Sequence, residues 1–360
     1  MERDPLLQLT IPLLDWYRAN GRDLPWRRTR DPYAIWVSEI MLQQTRVTAA
    51  LPYYLRFLQT FPTVEALAAA EEETLFKLWE GLGYYSRARN LQKTARIVTE
   101  RYGGRFPESY KELTALPGIG DYTAGAILAA AFGRRAPAVD GNVLRVAARL
   151  WDDPRDIQNA AVKKEIRRRV EEAMPEEPEA IRNYNQALMD LGATVCLPNG
   201  APLCEACPAR TFCRGRARGT AQSLPVRAPK KDRRAEERTV FLLRREGKIA
   251  LRKRPDEGLL AGLWEFPNVI GSHSEEEAAS VLADWSLIPA EWGKKLTAKH
   301  IFSHVEWHMI GYSLKVTGEG PGDFFWADRA TLERCAVPSA FARYRTEAKK
   351  LMEEAEADAL

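Results

Sequence analysis

The hydrophobic period of this chain changes once along its length, and that change limits the possible folds more than any other feature. Up to about residue 195, apolar residues recur three and four apart, with Ala-rich runs and few alternating stretches. Residues 64–70, 124–132 and 143–150 show the helical pattern most clearly. Beyond residue 208 the chain becomes basic: Arg210, Arg214, Arg216, Arg218, Arg227, Lys230, Lys231, Arg233 and Arg234 crowd a segment that also holds Pro225 and Pro229. Residues 217–236 read as a basic, proline-interrupted linker, serving either as a solvated connector or as a strap that tracks phosphates. After it the period becomes two. Residues 239–245 and 248–254 flank Glu246-Gly247 as a hairpin, 305–316 and 324–327 are further strands, and 340–357 form a closing helix. The expected organisation is an all-α domain over 1–216, the linker, and an α+β domain over 237–360.

The totals agree with this. A chain of 360 residues can bury two or three cores, and 45% hydrophobic with 28% charged residues is the composition of a soluble globular protein. No stretch approaches eighteen apolar residues, and the N-terminal segment lacks the basic region and cleavage site of a signal peptide. A cytoplasmic protein that does not engage a membrane is expected. The net charge of +4 is compatible with a nucleic-acid partner without requiring one.

In a reducing compartment, clustered thiols point to metal rather than disulfides. Cys196, Cys204, Cys207 and Cys213 form C-x7-C-x2-C-x5-C within eighteen residues, and the chain has only one other cysteine, Cys335. Four thiolates this close can hold one tetrahedral ion or one cubane cluster. One cysteine ends a helical pattern and three crowd the following loop, unlike the two tight pairs of a zinc ribbon. That spacing favours a [4Fe–4S] cluster.

Two further features carry chemistry. Leu116-Pro117-Gly118-Ile119-Gly120 lies between two helical patterns, where paired glycines allow a tight turn and present bare N–H groups beside a helix N-terminus. Such a loop can hold a DNA phosphate without reading sequence, with Asp121 placed to cap the next helix. Residues 1–272 contain no histidine, so acid–base chemistry in the helical half falls to carboxylates, tyrosine or lysine. Glu39 shares a helical face with Ile35, Trp36 and Leu42, where desolvation raises an acid's pKa. Asp140 stands at the mouth of another helix. Taken alone, either could be structural: a salt-bridged buried acid, or a capping residue.

Together these residues resemble a known family. The helical half is similar to the helix–hairpin–helix base-excision glycosylases, and within them to the MutY family of adenine DNA glycosylases. The resemblance rests on LPWR (24–27), WVSEIMLQQTRV (36–47), GLGYYSRAR (81–89), LPGIGDYTAG (116–125), VDGNVLR (139–145), NQALMDLG (185–192) and the four cysteines. GLWEFP (262–267) and HIFSH (300–304) resemble that family's Nudix-like recognition domain. The resemblance implies a monomeric enzyme of the nucleoid that acts on duplex DNA carrying adenine opposite 8-oxoguanine or guanine. It makes Glu39 the acid that protonates adenine N7 and Asp140 the group that stabilises the cationic sugar or traps it briefly as a covalent adduct, with Tyr122 and Asn142 positioning that aspartate and the sugar. Arg22, Trp26, Arg27, Leu42, Val47 and Gln186 would line the pocket for the flipped base. Gln44 and Tyr84 would wedge into the stack, Gly118 and Gly120 would hold a phosphate, and Phe302, Ser303 and His304 would read the opposite base.

Three departures qualify the resemblance. Lyase-competent relatives such as endonuclease III carry a lysine where this chain has Tyr122, so glycosylase activity without strand cleavage is expected. The first cysteine gap is one residue longer than usual, and its loop LPNGAPL (197–203) has no Lys or Arg, which weakens any phosphate contact there. Glu275-Glu276-Glu277 is not followed by the second acidic pair of a Nudix hydrolase, so the C-terminal half is expected to recognise rather than hydrolyse. The competing readings are an endonuclease III-like lyase, a metal-bearing DNA-binding protein without catalysis, and a nucleotide pyrophosphatase.

Overall fold

The computed structural model describes residues 4–228 and 232–357, and by its internal contacts the chain forms two compact units. The first comprises Met1–Ala70 and Arg89–Pro229 and is helical throughout. Its core lies around α1 (Pro5–Asn20), α8 (Asp121–Phe132), α9 (Gly141–Trp151), α10 (Ala160–Ala173) and α11 (Pro178–Asp190). Local signals start these helices. Asp31 caps α2 (Pro32–Leu42) by accepting from Tyr33 N at 2.9 Å, with Pro32 in the first turn where its missing N–H costs nothing. Asn159 does the same for α10. Asp121, expected as a cap, is instead the first residue of α8, and Gly120 occupies the capping position. The Asp121 carboxylate accepts from the Tyr110 hydroxyl at 2.6 Å and pairs with Arg167 at 2.7 Å.

Close backbone approach sets how these helices meet. A Cβ on Gly125 would lie 2.2 Å from the Pro137 carbonyl oxygen, so α8 touches the extended 136–139 segment directly. Asn185 on α11 braces the same segment, accepting from Ala138 N at 3.1 Å and donating to the Ala136 carbonyl at 2.9 Å. This strand-like stretch leads into Asp140.

The second unit comprises Glu71–Ala88 and Lys230–Leu360. Its sheet has the order β3 (Trp264–Glu265), β2 (Lys248–Lys253), β1 (Arg234–Arg245), β6 (Val305–Thr317), β5 (Ile288–Ile301), with β4 (Asn268–Ile270) pairing β1 and β7 (Phe324–Ala327) pairing β2. β1 and β6 run parallel and the other pairs antiparallel. Val240 and Leu242 of β1 enter one core, with α15 (Ala342–Ala357). Phe241 and Leu243 enter the other, with α13 (Glu275–Asp284). A strand covered on both faces reads as an unbroken apolar run, as this one does. The hairpin at Glu246-Gly247 forms with both residues at positive φ, 51° and 73°, as a two-residue turn between twisted strands requires.

The expected boundaries shift in two places. Residues 217–226 do not hang free: Arg149 Nε donates to the Leu224 carbonyl at 2.9 Å and Ile157 N to the Val226 carbonyl at 3.2 Å, which ties the segment to the helical unit. Pro229, Lys230 and Lys231 of the expected linker lie outside the described residues, and β1 already begins at Arg234. The second shift concerns residues 71–88, which lie within the helical half of the sequence but group with the second unit.

Candidate active site

α2 presents Glu39 on its most apolar face, between buried Trp36 and Ile40, and leaves it 3% exposed. Burial pushes its pKa from 4.5 up to about 7; a hydrogen bond from Tyr122 opposes this, nearby Asp140 adds to it, and Arg27 opposes it. The Tyr122 hydroxyl, in the first turn of α8, donates to Glu39 Oε2 at 2.6 Å and lies 3.2 Å from Met189 Sδ. Burial, with Glu39 and Asp140 close by, holds the Tyr122 phenol well above its ordinary value, so it stays a neutral donor.

Asp140 caps α9. Its Oδ1 accepts from Asn142 N at 2.9 Å and Val143 N at 2.8 Å, and its Oδ2 accepts from Asn142 Nδ2 at 2.6 Å. Burial leaves the pKa of Asp140 above its ordinary value, although these three bonds and Arg145 pull the other way. Asn142 is fixed in turn: Arg145 donates to its Oδ1 at 3.0 Å, and a Cβ on Gly192 would come within 2.6 Å of the Asn142 Cβ. The two carboxylates therefore have different surroundings. Glu39 has one polar partner in an apolar wall, which favours the acid; Asp140 has a ring of N–H donors, which favours the anion.

Both face a cavity of about 440 Å³, within the range of small-ligand pockets. Arg22, Trp26, Arg27, Leu42, Val47, Gln186, Tyr122 and Asn142 line the same cavity, so the structure brings together the catalytic and pocket residues singled out from sequence. Its polar wall is a clamp around Asp190, a residue the sequence reading passed over. Fully buried Asp190 accepts from Arg27 Nη1 and Nη2, each at 2.7 Å, and from Arg22 Nε at 2.7 Å. Burial alone would raise its pKa; Arg27 and Arg22 hold it below the ordinary value. Arg27 Nε also donates to Gln186 Oε1 at 3.0 Å, which leaves the Gln186 amide N–H groups for the cavity. Like Glu39, Asp190 is an acid on an apolar helical face, and that signal could have found it. Thr45, Arg46 and Thr48 also line the cavity and were missed.

The remaining candidates lie elsewhere. Gln44 is exposed in the turn after α2, with a left-handed φ of 59° that is rare outside glycine. Gly118 needs its φ of 76°, and a Cβ there would press on Asn90 at 2.8 Å; Gly120 has open space where a Cβ would go. In the second unit, Tyr84 is also left-handed (φ 49°), and its hydroxyl hydrogen-bonds Ser303 Oγ at 2.9 Å. Phe302, Ser303 and His304 form the turn between β5 and β6. Ser303 and His304 are exposed, but Phe302 is partly buried and packs its ring in an edge geometry on buried Trp307, at 4.9 Å between centroids. α13 has its acids exposed in the first turn and its apolar residues Ala278 and Leu282 buried.

The four cysteines line one small cavity with Arg149, Leu203, Arg210 and Arg216. Among the described residues no three His, Cys, Asp or Glu side chains converge closely enough to hold a metal ion. Arg149 Nη1 lies 3.3 Å from Cys196 Sγ and donates to the Leu197 carbonyl at 2.8 Å, while Arg145 Nε donates to the Cys196 carbonyl at 2.8 Å.

Known proteins carry the same combination. The pattern of the HhH-GPD superfamily of base excision DNA repair proteins matches residues 37–172, and that of the NUDIX domain matches 239–347. The human adenine DNA glycosylase is 37% identical over 86% of this chain and 67% of its own length. A Buchnera aphidicola adenine DNA glycosylase is 38% identical over 72% of this chain and 73% of its own. A solved thermostable thymine-DNA glycosylase superposes with a TM-score of 0.54 at 31% identity, covering 59% of this chain and 97% of that one. A helical half with a buried acid facing a base-sized cavity, continued by a Nudix-like half, makes this chain a member of the adenine DNA glycosylase family of base-excision repair enzymes.

Proposed function

We propose that this enzyme removes adenine paired with 8-oxoguanine or guanine in duplex DNA, leaving an abasic site without cutting the strand. The observation that carries the reading is Glu39: a carboxylic acid held near neutral pKa, braced by Tyr122, in the cavity that Asp140 also faces. Flipping a base costs a few kcal/mol, least at a mismatch. With adenine in the cavity, Glu39 donates its proton to N7 and makes the base a neutral leaving group. The Asp140 carboxylate stabilises the positive sugar as the bond breaks, with Asn142 fixing its position, until water adds at C1′ and gives up a proton to leave the abasic sugar. Arg27 and Gln186, oriented by Asp190, supply donors for the base edge. Tyr122 offers no amine for a Schiff base, which supports hydrolysis alone.

Gln44 and Tyr84 would enter the stack; their left-handed backbones are the kind of strain that functional sites retain. Gly118 and Gly120 would present N–H groups to a phosphate. Ser303 and His304 would read the opposite base, with Phe302 supporting the turn from below. On this reading the enzyme acts as a monomer in the cytoplasm, associated with the nucleoid.

Cys196, Cys204, Cys207 and Cys213 would hold a [4Fe–4S] cluster. All four side chains line one cavity, and Arg149 supplies positive charge beside the first sulfur. Holding such a cluster, the four cysteines would cross-link the loop, and no chemical step is assigned to it. The direct test is duplex DNA with one adenine opposite 8-oxoguanine, incubated with enzyme and then treated with hot alkali. Cleavage at that adenine only after alkali supports the reading. Intact strands overturn it, and cleavage before alkali makes the enzyme a lyase.

A further inference from the structure

We infer that Glu80 and Arg345 are positioning residues that build the Tyr84 segment into the 8-oxoguanine-reading unit. The inference rests on the proposed roles of Tyr84 and Ser303. In sequence, Gly81–Tyr84 belongs to the helical half, but residues 71–88 group with the second unit. The turn after α5 (Glu72–Trp79) is an awkward piece of backbone, with Gly81, Gly83 and Tyr84 at φ values of 102°, 70° and 49°. A left-handed non-glycine residue is strained and persists only where its surroundings impose it.

The surroundings do so at both ends of the turn. In the middle, Trp79 Nε1 donates to the Gly83 carbonyl at 3.0 Å, and Arg87 Nη2 donates to the carbonyls of Leu82 at 2.9 Å and Gly83 at 3.1 Å. Those bonds shape the turn without tying it to the sheet. At its far end the Tyr84 hydroxyl meets Ser303. At its near end the half-buried Glu80 carboxylate gathers Arg345 Nη1 at 2.5 Å, Lys77 Nζ at 2.8 Å and the Val337 N–H at 3.2 Å. Arg345 is itself fastened to the Leu332 carbonyl at 3.3 Å and paired with the Glu333 carboxylate at 3.6 Å, and Lys77 donates to the Cys335 carbonyl at 3.4 Å. One network thus joins the root of the turn, the 332–337 segment and α15. Without Glu80 the turn keeps the Lys77 bond to the Cys335 carbonyl and the Tyr84–Ser303 contact but loses its links to Arg345 and the Val337 N–H.

The test is single-turnover excision by the full-length protein on adenine opposite 8-oxoguanine and opposite guanine. Glu80→Ala should lower the ratio of the two rates roughly tenfold, the size of a typical coupling within one ion-pair network, with the loss falling on the 8-oxoguanine substrate. Glu80→Gln keeps an oxygen for Arg345 and the Val337 N–H, and should retain most of the ratio. A merely destabilised protein would lose active enzyme on both substrates equally and leave the ratio unchanged, which overturns the proposal. Ser303→Ala separates the two levels. If it loses the ratio and Glu80→Ala does not, the anchor is wrong and the reading of Ser303 stands; if neither loses it, that reading fails and the anchor falls with it. Should Glu80→Ala not fold, Arg345→Met serves with hydrogen exchange as readout. Amides 81–85 should exchange at least tenfold faster than in the wild type, and unchanged protection would contradict the anchor.

Discussion

In the helical unit the two candidate carboxylates are sunk among apolar side chains and helix ends: Glu39 is buried beside Trp36, and Asp140 is folded into the cap of α9. At the tip between β5 and β6 the order is reversed. Ser303 and His304 stand exposed, while the aromatic beneath them packs on Trp307. The first arrangement changes the chemistry of its groups through desolvation and fixed dipoles. The second leaves its groups exposed and controls where they stand. Breaking a bond requires altered acids; reading a base requires hydrogen-bonding groups that can reach it. Substitutions should therefore have large effects on rate in the first region and modest effects on preference in the second.

A large effect on rate is expected at Asp140. Asp140→Asn keeps a cap for α9 but removes the charge that opposes the developing cation. Single-turnover excision should fall roughly 10²–10³-fold, as for loss of one preorganised electrostatic contact, while DNA affinity stays close to wild type. An equal fall in affinity would mean that Asp140 acts in binding.

Next comes a stability effect of Glu39. Because burial raises its pKa from 4.5 to about 7, the folded protein keeps a proton that the unfolded chain releases. Stability from the neutral form is therefore lost as pH climbs through that window. Glu39→Gln escapes this loss and still accepts from Tyr122. It should be more stable than wild type by on the order of 3 kcal/mol at pH 8, with no such gain at pH 4. Urea unfolding at the two pH values checks it, and a difference independent of pH would show that Glu39 is not a strained acid.

The smallest effect belongs to the reading tip. Ser303→Ala combined with His304→Ala should reduce the preference for 8-oxoguanine over guanine about tenfold, since each lost contact commonly costs about 1–3 kcal/mol of discrimination. Excision opposite guanine should be nearly unchanged. Equal loss on both substrates would remove the distinction between the two regions.

Much of this was legible in the sequence because its causes are local. The apolar face around Glu39 is visible as a helical pattern, and the hairpin turn as Glu246-Gly247 between two strands. β5 was not legible. It is an edge strand whose side chains are mostly exposed, with Leu296 the one buried position, so no hydrophobic alternation marks it. The Asp121 cap was misplaced by one residue, since Gly120 takes the extended conformation and leaves Asp121 to pair with Arg167. The Asp190 clamp joins residues more than 160 positions apart, and the Glu80–Arg345 pair spans 265. No local pattern announces such pairs. Phe302 illustrates a different limit: sequence placed an aromatic at the tip, but only packing shows that its ring lies against Trp307.

In the proposed reaction Glu39 acts as a protonated acid. Single-turnover excision of adenine opposite 8-oxoguanine by Glu39→Gln, measured beside its affinity for the same duplex, tests this most directly. The amide preserves the shape of the acid and the bond from Tyr122 but carries no proton for N7. Affinity within a few-fold of wild type with excision almost abolished is the predicted result, together with a wild-type rate that falls as pH rises through about 7. Excision by Glu39→Gln at the wild-type rate would contradict the account.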